Sequence, residues 1–206
     1  MILRNRAFRF WAFIALPIAL IALADQTLPG YYVRLIKLVG INIILASSLS
    51  LCNGFTGIFS MGHAGFMAIG AYASALMTIP SAKKAVLLKN LPEAIQQVAM
   101  PLLPALLVGG VIAALVALLI GFPVLRFKGH YLSVATLGLI VIIRSVLQNN
   151  PDYTNGAKGL TGIAGLSDTF TIYLVMVAMM FVLHRILHSA YGRSMIAIRD
   201  DIVAAE

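Results

Sequence analysis

The sequence predicts an all-α polytopic membrane protein of about six transmembrane helices, and three observations carry that prediction. Of its 206 residues, 61% are hydrophobic and only 11% charged, against about 25% charged in soluble domains. Mean hydropathy is +0.96. The apolar residues gather in runs near bilayer-spanning length, where only a helix satisfies every backbone group internally. The formal net charge of +8 raises a nucleic-acid reading, but the basic residues sit beside apolar runs and form no aromatic-interleaved face. The expected partner is the lipid bilayer and not nucleic acid.

The first run, Phe10 to Ala24, follows Arg4, Arg6 and Arg9 and ends in Ala22-Leu23-Ala24. It fits a spanning helix and also mimics a signal peptide with a small-residue cleavage site. The second run is Leu35 to Cys52; its cysteine is the chain's single one, so no intrachain disulfide can form. The third is Ala64 to Ile79. The fourth, Met100 to Leu125, carries no charge until its end and is the firmest spanning helix of the set. The fifth, Tyr131 to Leu147, bears Arg144, and the sixth, Thr169 to Leu183, is short. Two longer connections remain, Pro80 to Ala99 and Gln148 to Asp168. Within the former, Pro92 to Ala99 reads as a short interfacial helix with Pro92 at its first position. That connection serves an external partner or is a plain connector. No long linker, low-complexity tract or internal repeat divides the chain, so residues 1–206 read as one transmembrane domain.

Orientation follows from lysine and arginine beside the spans. With the N-terminus cytosolic, Arg4, Arg6, Arg9, Arg126, Lys128, Arg185, Arg193 and Arg199 fall inside. Arg34, Lys37, Lys83, Lys84, Lys89 and Lys158 fall outside. Among arginines flanking the spans only Arg34 is then external, which places both termini in the cytosol.

Small residues recur at packing distance on two spans: Ala64, Ala68, Ala71 and Ala75, then Gly109, Ala113 and Ala117. Such spacing lets helices in lipid approach closely, and a narrow substrate-lining face would use the same residues. Between the second and third runs, Gly54, Gly57 and Gly62 fall within nine residues. At about 1 kcal/mol each relative to alanine they are too many for an unbroken helix. The expectation is a broken or re-entrant backbone, a feature that lies at membrane depth only when it lines a pathway or is buried in protein. His63 within it is a proton relay or substrate contact, or else a ring that hydrogen-bonds neighbouring backbone and holds the turn. Arg144 is an intramembrane functional cation or a side chain that snorkels to the outer interface.

Several chemistries find no footing. The loop Asn155-Gly-Ala-Lys-Gly-Leu-Thr-Gly162 superficially resembles a phosphate loop but lacks the Gly-Lys-Ser/Thr ending. His184 and His188 have ligand spacing without a third ligand on that face. With no catalytic carboxylate pair and no nucleophile beside a base, the sequence makes no case for an enzyme, a metal or a cofactor.

The C-terminal segment offers a dock. From Ser194, a plausible N-cap, Met195, Ile198, Ile202 and Ala205 form one apolar stripe with Arg199, Asp200 and Asp201 near its rim, suited to a partner's groove. The competing reading is an amphipathic tail on the membrane surface, against which the adjacent aspartates argue where lipid is anionic.

Four blocks in this chain resemble the branched-chain amino-acid ABC transporter permease family. Leu49-Ser-Leu-Cys-Asn-Gly-Phe-Thr-Gly-Ile-Phe-Ser-Met-Gly-His-Ala-Gly-Phe-Met-Ala-Ile-Gly-Ala-Tyr72 is similar to its Gly-Tyr-Thr-Gly-x-x-Ser-x-Gly-His-Ala-x-Phe-x-x-x-Gly-Ala-Tyr signature. Arg126-Phe-Lys-Gly-His-Tyr-Leu-Ser-Val-Ala-Thr-Leu137 resembles its Arg-x-x-Gly-x-Tyr-x-x-x-x-Thr-Leu run. Asn155 to Ile163 resembles its Gly-x-x-Gly-Leu-x-Gly-Ile loop, and Gly192 to Glu206 the start of its ATPase-gripping loop.

The resemblance implies an inner-membrane importer built from two non-identical permeases, two cytosolic ATPases and a periplasmic binding protein that delivers leucine, isoleucine or valine. On that view Gly192, Arg193, Ile198, Arg199, Asp200, Asp201, Ala204, Ala205 and Glu206 form the coupling segment, residues 192–206, with Gly192 as the hinge before its helix. Gly57, Ser60, Gly62, His63, Gly65, Tyr72, Thr136 and Arg144 line the pathway or gate. The family continues past the Ala-Ala-Glu into further helices, so these residues are expected to be a partial bundle that does not transport alone. The alternatives are a permease for urea, amides or other amino acids, or a small non-ABC channel or scaffold with a basic cytosolic tail.

Overall fold

The computed structural model describes residues 28–88, 90–127, 129–163, 165 and 167–200. The expected first span, Phe10 to Ala24, lies outside the described residues. In chain order the helices are α1 (Gly30–Ser50), α2 (His63–Thr78), α3 (Ser81–Leu87), α4 (Glu93–Gln96), α5 (Leu102–Val124), α6 (His130–Asn149), α7 (Pro151–Thr154), α8 (Thr169–Leu187) and α9 (Ala190–Asp200). A π-helical turn, Leu51–Phe55, extends α1, and a 3-10 turn, Gly156–Lys158, follows α7. Four helices start directly after a proline: Pro29, Pro80, Pro92 and Pro101 precede α1, α3, α4 and α5 with ψ between 137° and 162°. Their extended backbone sets each chain entry where no helix can continue from upstream. Pro92 therefore lies one residue before its helix instead of at the first position.

Four stretches are long and apolar enough to cross a membrane: Gly30–Phe55, Leu102–Val124, His130–Asn149 and Thr169–Leu187. The last is longer than the sequence reading of Thr169 to Leu183, because His184 and Arg185 stay helical at its polar end. The third expected span is different. α2 has 16 residues, about 24 Å of helix, less than the roughly 30 Å of hydrocarbon. It reaches spanning length only with α3, to which it is bent by 118° across Ile79 and Pro80. The apolar faces point outward: Leu107 is 72% exposed and Leu119 76%, which in water would be an aggregation surface and in lipid is the solvated face.

The chain divides into two units. One holds α1 with the π turn, α8 and α9. Here α1 packs along α8: Gly40, buried, faces Ile172 and Tyr173. The Tyr173 hydroxyl donates to Ile36 O at 3.2 Å and Lys37 Nζ to Ser167 O at 2.9 Å. The other unit holds α2 to α7. Its main contact is α2 on α5, where Gly70 and Gly109 cross. A β-carbon built on Gly109 would come within 2.7 Å of Gly70 O and 3.0 Å of Ser74 Cβ. The small-residue spacing on α5 is used as expected at Gly109 and Ala113. On α2 the approach is made by Gly70 and Ser74 instead of Ala71, which is exposed. The pair meets there because glycine alone leaves the backbone open to a neighbouring carbonyl.

The connection from Pro80 to Ala99 is a folded structure. Lys84 is fully buried, and its ammonium donates to Ile95 O at 3.0 Å and to Val98 O, closing α3 onto α4. Removing the donor strands two carbonyls, and charged hydrogen bonds contribute about 1.5–3 kcal/mol. Lys84→Met, which keeps most of the apolar stem, should therefore make residues 81–100 of the full-length permease cleavable by added protease while the remaining helices stay resistant.

Candidate functional site

The break between the second and third runs is present. After the π turn, residues 56–62 are non-helical before α2 begins at His63. Gly57 takes φ +68°, a conformation open to glycine. On its side of the break the Thr56 hydroxyl donates to Cys52 O, folding the π turn back on itself. A β-carbon on Gly57 would fall 2.7 Å from Arg199 Cγ of α9, so the π turn and the C-terminal helix lean on each other through this glycine. In the second unit the break is tied to α6. Thr136 Oγ1 accepts from Met61 N at 3.0 Å and donates to Ser133 O at 2.9 Å, while Ser133 Oγ donates to Phe59 O at 2.7 Å. Ser60 Oγ accepts from Gly62 N at 3.4 Å.

His63 opens α2. Its Nε2 is buried and has no hydrogen-bond partner among the described residues, so this nitrogen does not hold the turn. An orphaned buried nitrogen costs about 1–3 kcal/mol.

A cavity of about 350 Å³ lies within the second unit. One wall is α2, with Ala64, Gly65, Ala68 and Tyr72; the other is α6, with Ile140, Ile143, Arg144 and Leu147. The helices run side by side, Gly62 level with Thr136 and Gly65 with Ile140 and Ile143. The close fit at Gly65, where a β-carbon would meet Ile143 Cδ1 at 2.7 Å, forms the tight part of the wall. At one end the open cavity is bordered by Gln148 and by Gly156, Ala157, Lys158 and Gly159. This loop is rigidly built. Asn155 is left-handed at φ 61°, Gly156 and Gly159 have φ +59° and +68°, and Asn155 Nδ2 donates to Gly159 O at 2.8 Å. The Thr154 hydroxyl bonds Asn150 O at 2.7 Å and Leu147 O, anchoring the loop to the end of α6.

Of the sequence-selected pathway residues, Gly65, Tyr72 and Arg144 line this cavity. Ser60, Gly62 and Thr136 belong to the anchored break, and Gly57 to the contact with α9. Lys158 and Gln148 were not selected. Gln148 is one of several polar residues at the end of α6, and Lys158 belongs to the Gly-Ala-Lys-Gly run, which reads as an external loop until it folds back toward α2; a β-carbon on Gly159 would lie 3.6 Å from the Tyr72 hydroxyl.

The C-terminal segment requires two corrections. Its helix begins at Ala190, so Ser194 is an interior residue and not the N-cap; its hydroxyl bonds back to Ala190 O at 3.2 Å. Gly192 is likewise inside the helix, with the chain turning at His188 and Ser189 just before it. It is buried because α9 folds tightly against the end of α8, where a β-carbon would sit 2.2 Å from Leu187 O. Arg199 pairs with Asp200 at 3.1 Å. Arg193 is exposed and Ile198 half-buried; Asp201, Ala204, Ala205 and Glu206 lie outside the described residues.

Residues 31–206 match the family model described as the branched-chain amino acid transport system permease component. The chain belongs to that permease family. Two curated relatives, both described as high-affinity branched-chain amino acid transport system permease protein LivM, are similar to it. The Escherichia coli protein is 31% identical over 84% of this chain and 44% of its own length. The Salmonella typhimurium protein is 30% identical over 80% of this chain and 43% of its own length. The permease chain thus spans less than half the length of the curated relatives it matches. No solved structure matches it. Family membership and the apolar helices make this chain a multi-pass bacterial inner-membrane protein of the permease family.

Proposed function

We propose that the chain is a membrane-spanning permease subunit of an ATP-driven importer for leucine, isoleucine and valine. In this reading it pairs with a second permease, two cytosolic ATPases and a periplasmic binding protein. What carries the reading is the family match over residues 31–206, which coincides with a cavity walled by aliphatic side chains and lined by two cations. The family supplies the transport class, and the wall chemistry suits a branched hydrocarbon better than urea or an amide, which offer no apolar surface to bury.

The mechanism follows from three parts of the chain. α9 is the start of the coupling segment, its apolar positions Met195 and Ile198 available to an ATPase groove while Gly192 lets it lie flat against α8. Arg199 over Gly57 links it to the π turn. A π turn is a low-cost place for a helix to change pitch, so a displacement of α9 by the ATPases is absorbed at residues 51–57 and shifts the gate segment from Gly57 to Gly65. ATP biases the inward and outward states only by making different contacts in each. Both termini are cytosolic in this scheme, and the loop carrying Lys158 faces the periplasm.

The deciding experiment is uptake into proteoliposomes holding the full-length permease with its partner permease, the ATPases and the binding protein. ATP-dependent accumulation of tritiated leucine is expected. ATP-driven uptake of urea or amides instead would move the substrate class, and ATP-independent conductance would indicate a channel.

A further inference from the structure

The cavity beside α2 and α6 contains more information than its place in a pathway. Among the described residues no aspartate or glutamate lines it; its polar side chains are the cations Arg144 and Lys158 and the neutral Tyr72 and Gln148. Neither cation has a hydrogen-bond or ion-pair partner among the described residues. Arg144 lies in a helix that crosses the membrane, where an uncompensated guanidinium is costly and ordinarily marks a ligand or a partner charge. Lys158 is presented from a turn fixed by left-handed Asn155 and by Gly156 and Gly159, so little ordering is required when an anion arrives. Behind the cations the walls are aliphatic: Ile140, Ile143 and Leu147 from one helix, Ala64 and Ala68 from the other. The volume, about 350 Å³, is at the small end of the ligand-cavity range of roughly 300–1,000 Å³.

An amino acid carries a carboxylate, an ammonium and a side chain, and this cavity complements two of the three. A guanidinium recognises a carboxylate by paired hydrogen bonds, and the aliphatic walls recognise a branched chain. The ammonium finds no carboxylate and faces two like charges. We propose that the cavity is a substrate site that binds a branched-chain amino acid by its carboxylate and hydrocarbon branch alone, with Arg144 and Lys158 as the anion pair. Branched 2-oxo acids and plain branched carboxylates are then ligands of the permease as good as the amino acid. Selection for the ammonium occurs before the permease is reached. This inference rests on the import reading above.

The test uses the full-length permease paired with its partner permease in lipid nanodiscs, without the binding protein, and equilibrium binding of tritiated leucine. Saturable binding is expected, displaced by 4-methyl-2-oxopentanoate and by 3-methylbutanoate at concentrations within threefold of leucine itself, and not displaced by 3-methylbutylamine. Arg144→Gln should weaken leucine binding at least tenfold and Lys158→Gln at least threefold, with Arg144→Lys recovering part of the loss. Displacement by the amine, no displacement by the two acids, no saturable binding, or binding unchanged in Arg144→Gln would each overturn the proposal. The competition series uses the unaltered protein, so it decides even if a variant fails to assemble. ATP-driven leucine uptake by the complete unaltered transporter is read separately: leucine uptake without the acid-selective binding defeats this proposal alone, whereas no leucine uptake defeats the import reading.

Discussion

Gly109→Ala in the full-length permease should lower stability by about 2 kcal/mol, and Gly109→Leu should prevent assembly, whereas Gly110→Ala one residue away should be neutral or slightly stabilising. The difference lies in what each new β-carbon meets. At Gly109 it comes within 2.7 Å of Gly70 O, 3.0 Å of Ser74 Cβ and 3.2 Å of Ser74 N. Two of these are backbone atoms that cannot rotate away, so α2 and α5 must separate, and overpacking of this kind costs about 1–3 kcal/mol. At Gly110 nothing lies within 4 Å, and alanine favours the helix. The measurement is the temperature at which the detergent-solubilised permease loses its monodisperse elution peak. Equal shifts for the two alanine variants would show that the crossing is not where α2 and α5 are held.

Gly192→Ala should separate energy supply from transport. Its β-carbon would fall 2.2 Å from Leu187 O and 2.5 Å from Ile186 O, inside contact distance of two carbonyls at the end of α8. The corner at His188 and Ser189 has to open, and α9 swings away from α8 while the spanning helices keep their own contacts. The expected result is a permease that still assembles in the membrane but retains less than a tenth of ATP-dependent leucine uptake and loses co-purifying ATPase. Ser194→Ala is the matched control. Its hydroxyl bonds only to Ala190 O one turn earlier, a bond that adds little to a helix already formed, so uptake should remain near the level of the unaltered protein. Uptake preserved in Gly192→Ala would remove α9 from the coupling path.

The two glycines show where sequence reading reaches its limit. Gly109 is legible because α5 repeats small residues every four positions and one helix determines that spacing. Its partner is not legible: Ala71 and Gly70 are neighbours on α2, and only the rotation of the helix in the packed unit selects Gly70 and Ser74. Gly192 is a hinge only on the permease resemblance, which makes it the residue before the coupling helix. The helix instead starts at Ala190, with Gly192 in its first turn, where a β-carbon would meet the carbonyls of Leu187 and Ile186. The tight corner between α8 and α9, just upstream, decided that position, and helix propensity alone does not encode it.

The candidate site divides along the same line. Arg144 is legible as an intramembrane charge, and Gly65 and Tyr72 through the signature that resembles the permease family. Lys158 is not, because a lysine in a glycine-rich loop is an ordinary surface residue until the loop's turns place it at the cavity. Lys84 is a similar case, a basic residue of an apparent connector whose ammonium is enclosed by Ile95 O and Val98 O.

By itself the sequence determined the membrane class, the spanning segments that match the described helices, and the break after α1. All of these rest on composition, run length and glycine density, quantities summed along the chain and indifferent to what packs against what. The tertiary structure alone decided that α2 is short and bent sharply into α3, that Gly70 faces Gly109, and that Arg144 and Lys158 line one aliphatic cavity. Each of those depends on residues distant in sequence occupying one place, and apolar patterning in lipid, where every outward face is equally hydrophobic, does not specify which faces meet.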